Sequence, residues 1–286
     1  MTNKLRDLAG PGRLASVMSA HNPLSARLAE LAGFDGVWAS GFELSAAYGV
    51  PDASLLSFTQ HLDMTRAIVE RVSAPVVADL DTAYGNAVNV MHVVGAYARA
   101  GVAAVVIEDK IFPKDTSLLA GGRQDLVRIE EFQGKIAAAR AAGSERDLLV
   151  VARTEALIAD LGLEEPLKRA HAYAEADMIL VHSKQKTPDE IVAFARRWQG
   201  ETPVVVVPTA YPDLTEARIR ELGNIGMVIY GDHAVRAAVT AMRQVFAAIR
   251  ADGGIHNVDK RIVSVEEIFE LQRAAEMKAI EQKYLR

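Results

Sequence analysis

Groups capable of chemistry recur in this sequence at one kind of place, immediately after a short apolar run. The run Val105–Ile107 passes straight into Glu108, Asp109 and Lys110, then into Pro113, Lys114, Asp115, Thr116 and Ser117. Another run ends in Asp79 and Asp81, followed by Thr82, Ala83, Tyr84, Gly85 and Asn86. Others end in Ser40-Gly41-Phe42, in Arg153 and Glu155, in His182 and Ser183, in Thr209, and in Asp232 and His233. Asp79, Asp81 and Glu108, joined by Asp52 from the loop after the second run, make an oxygen-only acidic nest. Carboxylates this dense repel one another unless a cation joins them. Hard oxygen donors suit Mg²⁺ or Mn²⁺, and Mg²⁺ keeps several of its waters, so few of the carboxylates need touch it. Asp81 has a plainer alternative as the cap of the turn through Asn86.

Arg153 and His182 add positive or hydrogen-bonding groups. Arginine grips carboxylate or phosphate-like oxygens with two parallel bonds; the structural alternative is an ion pair with Glu155 or with the acidic nest. A lone histidine at a strand end is usually structural, and its charged companions raise the functional reading of His182. Ser40-Gly41 offers backbone N–H groups free of side-chain bulk, either an oxyanion cradle or simply a tight turn. Lys114 and Arg123 bracket a loop containing Gly121-Gly122, which reads as a lid or as two solvent-facing charges. From these groups alone the chemistry is that of a Mg²⁺-dependent enzyme acting on a small anionic substrate.

Something must bring these ends together. Short apolar runs alternate with helical patterns eight times, with strands expected at Leu14–Met18, Gly36–Ser40, Pro75–Asp79, Ala103–Glu108, Leu148–Arg153, Met178–His182, Pro203–Pro208 and Met227–Gly231. Helical stretches between them include Pro23–Ala32, Thr59–Val72, Ala87–Ala100, Ile129–Ala142, Glu164–Ala176, Pro188–Trp198 and Thr215–Leu222. Eight such units favour a (β/α)8 TIM-type barrel, in which the carboxyl ends of the strands converge on one mouth. Residues 1–286 read as a single barrel domain, with 253–286 as a helical extension. Ala234–Arg250 and Val265–Ile280 are expected to be long helices, the latter with an apolar stripe suited to subunit packing.

Composition narrows the alternatives. Of the 286 residues half are hydrophobic, enough for a sizeable core, and the net charge of −5 leaves no basic surplus for nucleic acid or an anionic membrane surface. The longest apolar runs are strand-length, so no membrane span is expected, and the opening MTNKLRDLAGPGR lacks the apolar segment of a signal peptide. No cysteine occurs, which removes disulfides, thiolate metal sites and a cysteine nucleophile or acid, and makes a cytoplasmic enzyme the default. Neither a GxGxxG nor a GxxxxGK[ST] motif is present, so no nucleotide site is expected.

The motifs WASG (38–41), DLDTAYGN (79–86), EDKIFPKDTS (108–117), ARTE (152–155), VHSK (181–184) and VVVPT (205–209) resemble the phosphoenolpyruvate mutase/isocitrate lyase superfamily, over Arg13 to about Leu271. Three longer runs, PKDTSL (113–118), GRQDLVRIEEFQGKIAAA (122–139) and HSKQKTPDEI (182–191), are similar to its branch that hydrolyses a carbon–phosphorus bond. The resemblance implies Mg²⁺-assisted cleavage of 3-phosphonopyruvate, a small anionic 2-oxo-acid phosphonate, with Mn²⁺ or Co²⁺ as substitutes. It makes Asp79 the direct metal ligand, with Asp52, Asp81 and Glu108 acting through water. Ser40, Gly41 and Phe42 would help bind the carboxylate, and Arg153 and His182 the phosphonyl group. Lys114, Thr116 and Ser117 would come from the lid, Thr116 beside the attacking water. It also implies a homo-oligomer, a dimer of dimers exchanging C-terminal helices.

The alternatives within the superfamily are the mutase, an isomerase with the same site, and a related hydrolase or decarboxylase of 2-oxo acids such as oxaloacetate. Mutases carry asparagine at position 116 and carbon–carbon lyases cysteine, so Thr116 argues against the lyase. Ala83 stands where the family usually has glycine, Thr154 where valine is common and Asp232 where asparagine is usual, and the 173–179 link is about two residues shorter than expected.

Overall fold

In the computed structural model, residues 3–10 and 12–285 are described. Eight parallel strands close into a barrel in sequence order: β1 Ala15–Ala20, β2 Gly36–Ala39, β3 Val76–Asp79, β4 Ala104–Glu108, β5 Leu149–Thr154, β6 Met178–Val181, β7 Val204–Val206 and β8 Ile225–Tyr230. β8 pairs with β1 and completes the ring. The helices are α1 Lys4–Leu8, α2 Pro23–Leu31, α3 Gly41–Ala47, α4 Phe58–Val69, α5 Ala87–Ala100, α6 Ile129–Gly143, α7 Glu164–Ala172, α8 Asp189–Arg197, α9 Glu216–Leu222, α10 His233–Asp252, α11 Val265–Leu271 and α12 Ala274–Tyr284. The chain divides between Ala234 and Val235, within α10, into two compact units, the barrel and a helical C-terminal unit. Among the described residues no helix is long and apolar enough to cross a membrane.

The strands are valine-rich runs because both of their faces are buried. Successive side chains point to opposite faces. One set, including Val17, Trp38, Val77, Val106, Val151, Leu180, Val205 and Met227, fills the barrel interior. The alternate set, with Val76, Ala78, Val105, Val150 and Ile179, packs outward with Tyr97, Phe132 and Tyr173 from the helices. Helix starts follow capping chemistry: Asn22, Ser57 and Asn86 each close a reciprocal capping box, and Thr215 caps α9. Gly101 ends α5 at φ +86°, a left-handed turn that a β-carbon would strain.

The barrel expectation holds, with strand boundaries off by a few residues. Two helices lay outside it, α1 and α3, the second beginning at Gly41 directly after β2. The single helix expected over Val265–Ile280 is instead two, α11 and α12, parted at Gln272 and at Arg273, whose φ of +59° is left-handed. No glycine or proline signals this break, since LQRAAEM is made of good helix formers. The 173–179 link runs into the amino end of β6, the end opposite His182, and Asp177 within it accepts from the Val150 N–H at 2.9 Å.

Candidate active site

Strand register places the reactive groups. Glu108 sits opposite Arg153 across the β4–β5 ladder, and Asp79 opposite Val106 across β3–β4. Just beyond these carboxyl ends lies a cavity of about 290 Å³ lined by Trp38, Ser40, Phe42, Asp52, Asp79, Lys114, Thr116, Ser117, Arg153, His182 and Asp232, among others. Gly41, Asp81 and Glu108 stand behind this lining rather than in it.

The acidic nest forms as expected, and a lysine sits in it. Lys114 Nζ lies 2.9 Å from Asp52 Oδ2 and 2.6 Å from Asp81 Oδ1. Burial alone would pull the ammonium pKa down, but Asp52, Asp81, Glu108 and Asp79 outweigh it and hold the group well above its ordinary value. Burial pushes the carboxyl of Asp79 up, and that of Asp81 well up, with their acidic neighbours adding to the effect. Gly41 N–H donates to Asp79 Oδ2 at 3.3 Å. A β-carbon at position 41 would stand 2.9 Å from Asp81 Oδ1 and 3.4 Å from Asp79 Oδ2, so any larger residue there would push on the carboxylates of the nest. The backbone cradle expected at Ser40-Gly41 is therefore partly engaged: Gly41 N–H serves Asp79, and Ser40 caps α3 by accepting from the Glu43 N–H. The chain reaches the nest through a strained loop, with Asp81, Ala83 and Tyr84 at φ of +51°, +58° and +62°.

The donors fit a hydrated dication. Glu108 is 1% exposed, yet neither of its carboxylate oxygens accepts a hydrogen bond; its nearest cation is Arg153 Nε, 3.4 Å from Oε2. Among the described residues no group of three or more His, Cys, Asp or Glu side chains is placed to hold a metal ion by itself. Mg²⁺ held by one carboxylate, with others reached through water, needs no such group.

Arg153 takes up its structural alternative, the ion pair with Glu155, and still borders the cavity. Its Nε donates to Glu155 Oε1 and its Nη2 reaches Ser117 Oγ at 3.1 Å, while the side chain also lines the cavity. Nη2 lies 3.1 Å from His182 Nδ1. A guanidinium has no acceptor, so Nδ1 must accept, and the ring proton sits on Nε2. Burial lowers the His182 pKa and favours this neutral form. His182 Nε2 is buried without a protein partner, an N–H available to an anionic substrate oxygen. Thr116 Oγ1 donates to the Asp52 carbonyl at 2.6 Å. The 113–124 loop lies over the cavity, its Lys114 and Ser117 turned inward and its Leu118 and Leu119 exposed. Arg123 is not in the cavity: it ties the loop to itself, its backbone N–H to Asp115 Oδ2 and its guanidinium to the Pro113 carbonyl.

Residues 5–250 match the phosphoenolpyruvate phosphomutase family. The chain belongs to that family. Within it, the chain is 61% identical over 284 residues to the phosphonopyruvate hydrolase of Variovorax sp. (strain Pal2), spanning 99% of this chain and 98% of that one. It is 43% identical to the phosphoenolpyruvate phosphomutase of Tetrahymena pyriformis, over 99% and 95% of the two chains. A crystal structure of phosphonopyruvate hydrolase in complex with oxalate and Mg²⁺ superposes with a TM-score of 0.94, at 58% identity and full coverage of both chains.

Of the positions where this chain departs from the family pattern, Ala83 does occupy a left-handed backbone. Thr154 is buried outside the cavity, with Ala156 N–H donating to its hydroxyl at 3.4 Å. Asp232 does line the cavity, with His233 Nδ1 3.5 Å from its carboxylate. Trp38 and Lys110 are parts of the site that the sequence motifs left without a role, and Glu155 was read only as an ion-pair partner of Arg153. Period-two spacing was the available signal for the last two, because Lys110 follows Glu108 by two residues and Glu155 follows Arg153 by two.

Proposed function

We propose that this chain hydrolyses the carbon–phosphorus bond of 3-phosphonopyruvate, giving pyruvate and phosphate, with Mg²⁺ as cofactor. The observation that carries the reading is Thr116. Its hydroxyl lines the cavity with its proton committed to the Asp52 carbonyl, which leaves its oxygen lone pairs to accept from a water and aim that water's own lone pair inward. The strong likeness to the Variovorax hydrolase supports the same reading.

Asp79, with Asp52, Asp81 and Glu108 through water, would hold Mg²⁺, which supplies positive charge for the pyruvyl oxygens as the bond breaks. Arg153 and the Nε2–H of His182 hold the phosphonyl oxygens. Lys114 adds its charge from the lid, Ser40 and Phe42 border the carboxylate end, and Ser117 fixes Arg153. Water forms the new P–O bond and gives up a proton as the C–P bond breaks. The C–P electron pair leaves with the pyruvyl group as its enolate, and one proton in balance with that released by water adds to the enolate carbon to give pyruvate. Such a loose phosphoryl transfer depends on positioning and charge more than on covalent chemistry.

The test is ³¹P NMR of phosphonopyruvate incubated with the enzyme and Mg²⁺. Inorganic phosphate is the expected product; phosphoenolpyruvate instead would make this chain a mutase, and turnover of oxaloacetate alone would make it a 2-oxo-acid enzyme. We also propose a cytoplasmic homo-oligomer, a dimer of dimers whose C-terminal helices pack on neighbouring copies. Val265, Phe269, Met277, Ile280 and Tyr284 of α11 and α12 are all at least half exposed and supply apolar surface for such packing.

A further inference from the structure

Glu155 is completely buried and does not line the cavity, yet its two oxygens face two different parts of the site. Oε1 accepts from Arg153 Nε and lies 3.7 Å from His182 Nδ1. Oε2 accepts from the lid hydroxyl Ser117 Oγ at 2.6 Å and lies 3.5 Å from Lys110 Nζ. Lys110, itself 1% exposed, holds the same piece of lid: its ammonium donates to Ser117 Oγ at 2.9 Å and to the Asp115 carbonyl at 2.8 Å. Arg153 Nη2 closes the circuit on Ser117 at 3.1 Å. Glu155 is in turn fixed from behind through its backbone. Its backbone N–H donates to Asp109 Oδ1 at 2.9 Å, and Asp109 Oδ2 is held by Arg169 at 3.0 Å and the Tyr173 hydroxyl at 3.1 Å. One buried anion is thus the shared acceptor for a loop and for Arg153, which in turn holds His182.

We propose that Glu155 is a positioning residue that fastens the underside of the 113–124 lid and aims Arg153, and through Arg153 Nη2 also His182, with the same carboxylate, so that the phosphonyl grip is complete only when the lid is down. The kinetic half of this rests on the hydrolytic function; the fastening half rests on geometry alone. Ser117 is the moving part. When the lid lifts, Ser117 leaves Oε2 and Nη2 together, and the guanidinium loses one of the contacts that set its plane. Arg153 Nε, Ser117 Oγ and Lys110 Nζ all present protons to Glu155, so the carboxylate cannot be replaced by an amide without turning an N–H group against one of these donors.

Two variants of the full-length enzyme test this. Glu155→Gln keeps the shape and removes one acceptor oxygen. Lys110→Met keeps the length of the side chain and removes both of its ties to the lid, without touching the cavity. The readouts are the rate of tryptic cleavage after Arg123, an exposed lid residue, and kcat and KM for phosphonopyruvate. In both variants cleavage is expected to rise and kcat to fall, each by about tenfold or more, the scale of one lost charge-assisted hydrogen bond. A variant merely less stable would lower the folded fraction without a selective rise at Arg123. Cleavage at the wild-type rate in either folded variant overturns the fastening, and faster cleavage with unchanged kcat overturns its link to the grip. Lys110→Met decides the matter by itself if Glu155→Gln does not fold. If the unmodified enzyme releases no phosphate, the assigned reaction fails, while the cleavage rates still judge the tie.

Discussion

Changing Thr116 to asparagine should redirect what reaches phosphorus. The threonine hydroxyl spends its proton on the Asp52 carbonyl, at 2.6 Å, and a second Asp52 oxygen lies 3.3 Å away. What it can offer the cavity is an acceptor, and water is the natural partner. Asparagine reaches further and presents an amide with two N–H donors. In a cavity of about 290 Å³ that must also hold the substrate, the amide takes up the place of a water, whose share of liquid volume is about 30 Å³. Losing one oriented contact costs about 1 kcal/mol, and displacing the water adds to that, so hydrolysis should fall about tenfold or more, a barrier rise of about 1.4 kcal/mol or above. The retained phosphoryl group and enolate can then recombine through oxygen, and some phosphoenolpyruvate is expected. Thr116→Ala should lose rate without gaining that product, since it provides space but no amide. The assay counts phosphate and phosphoenolpyruvate together, by ³¹P NMR, at saturating substrate. Wild-type hydrolysis in Thr116→Asn would show that this residue does not control the nucleophile, and equal losses of affinity in both variants would reduce Thr116 to lid packing.

Asp79→Ala should abolish Mg²⁺ binding by calorimetry and with it turnover, while thermal unfolding stays near normal because the change also relieves repulsion in the nest; full activity would remove Asp79 from the metal site. His61 should make stability fall with acid: burial lowers its pKa to about 4, its Nδ1 contacts the Tyr97 hydroxyl at 2.7 Å, and its Nε2 has no partner. The unfolded chain takes up a proton near pH 6.5 and the folded one only near 4, so its contribution is complete above about 6.5 and is lost as pH falls toward 4, about 2 kcal/mol between pH 7 and 5. Urea titrations of His61→Phe should show a shallower pH slope than wild type, and an identical slope would clear His61 of this role. Truncation after Arg261 should reduce the assembly seen by light scattering, and an unchanged mass would count against helix exchange.

The barrel was legible because its strands are short apolar runs rich in valine, alanine and isoleucine, most of them followed at once by polar or charged residues. Asp79, Glu108, Arg153 and His182 were visible for the same reason: each follows directly on such a run. What the sequence hid was pairing. Nothing in the order of residues says that Lys114 would drop between Asp52 and Asp81, from 62 residues away in the first case, or that Gly41 would give its N–H to Asp79. Glu155 was visible as a charge beside Arg153 but not as the acceptor for a lid. The break at Arg273 was hidden because local propensity favours one continuous helix there.

The left-handed run at Asp81, Ala83 and Tyr84 bears on how this enzyme could be improved. Each such non-glycine residue costs about 1–2 kcal/mol, a sizeable share of the 5–15 kcal/mol that typically separates a folded domain from its unfolded chain. Asp81 cannot be exchanged without altering the nest, and Tyr84 packs its ring at 6.0 Å against Phe58. Ala83 contributes only a methyl group to the core. It is therefore the one member of the run whose conversion to glycine relaxes the backbone without removing a functional side chain, and heat tolerance gained there leaves the charges of the mouth as they are. Any accompanying loss of activity would measure how far the catalytic floor depends on being held under tension.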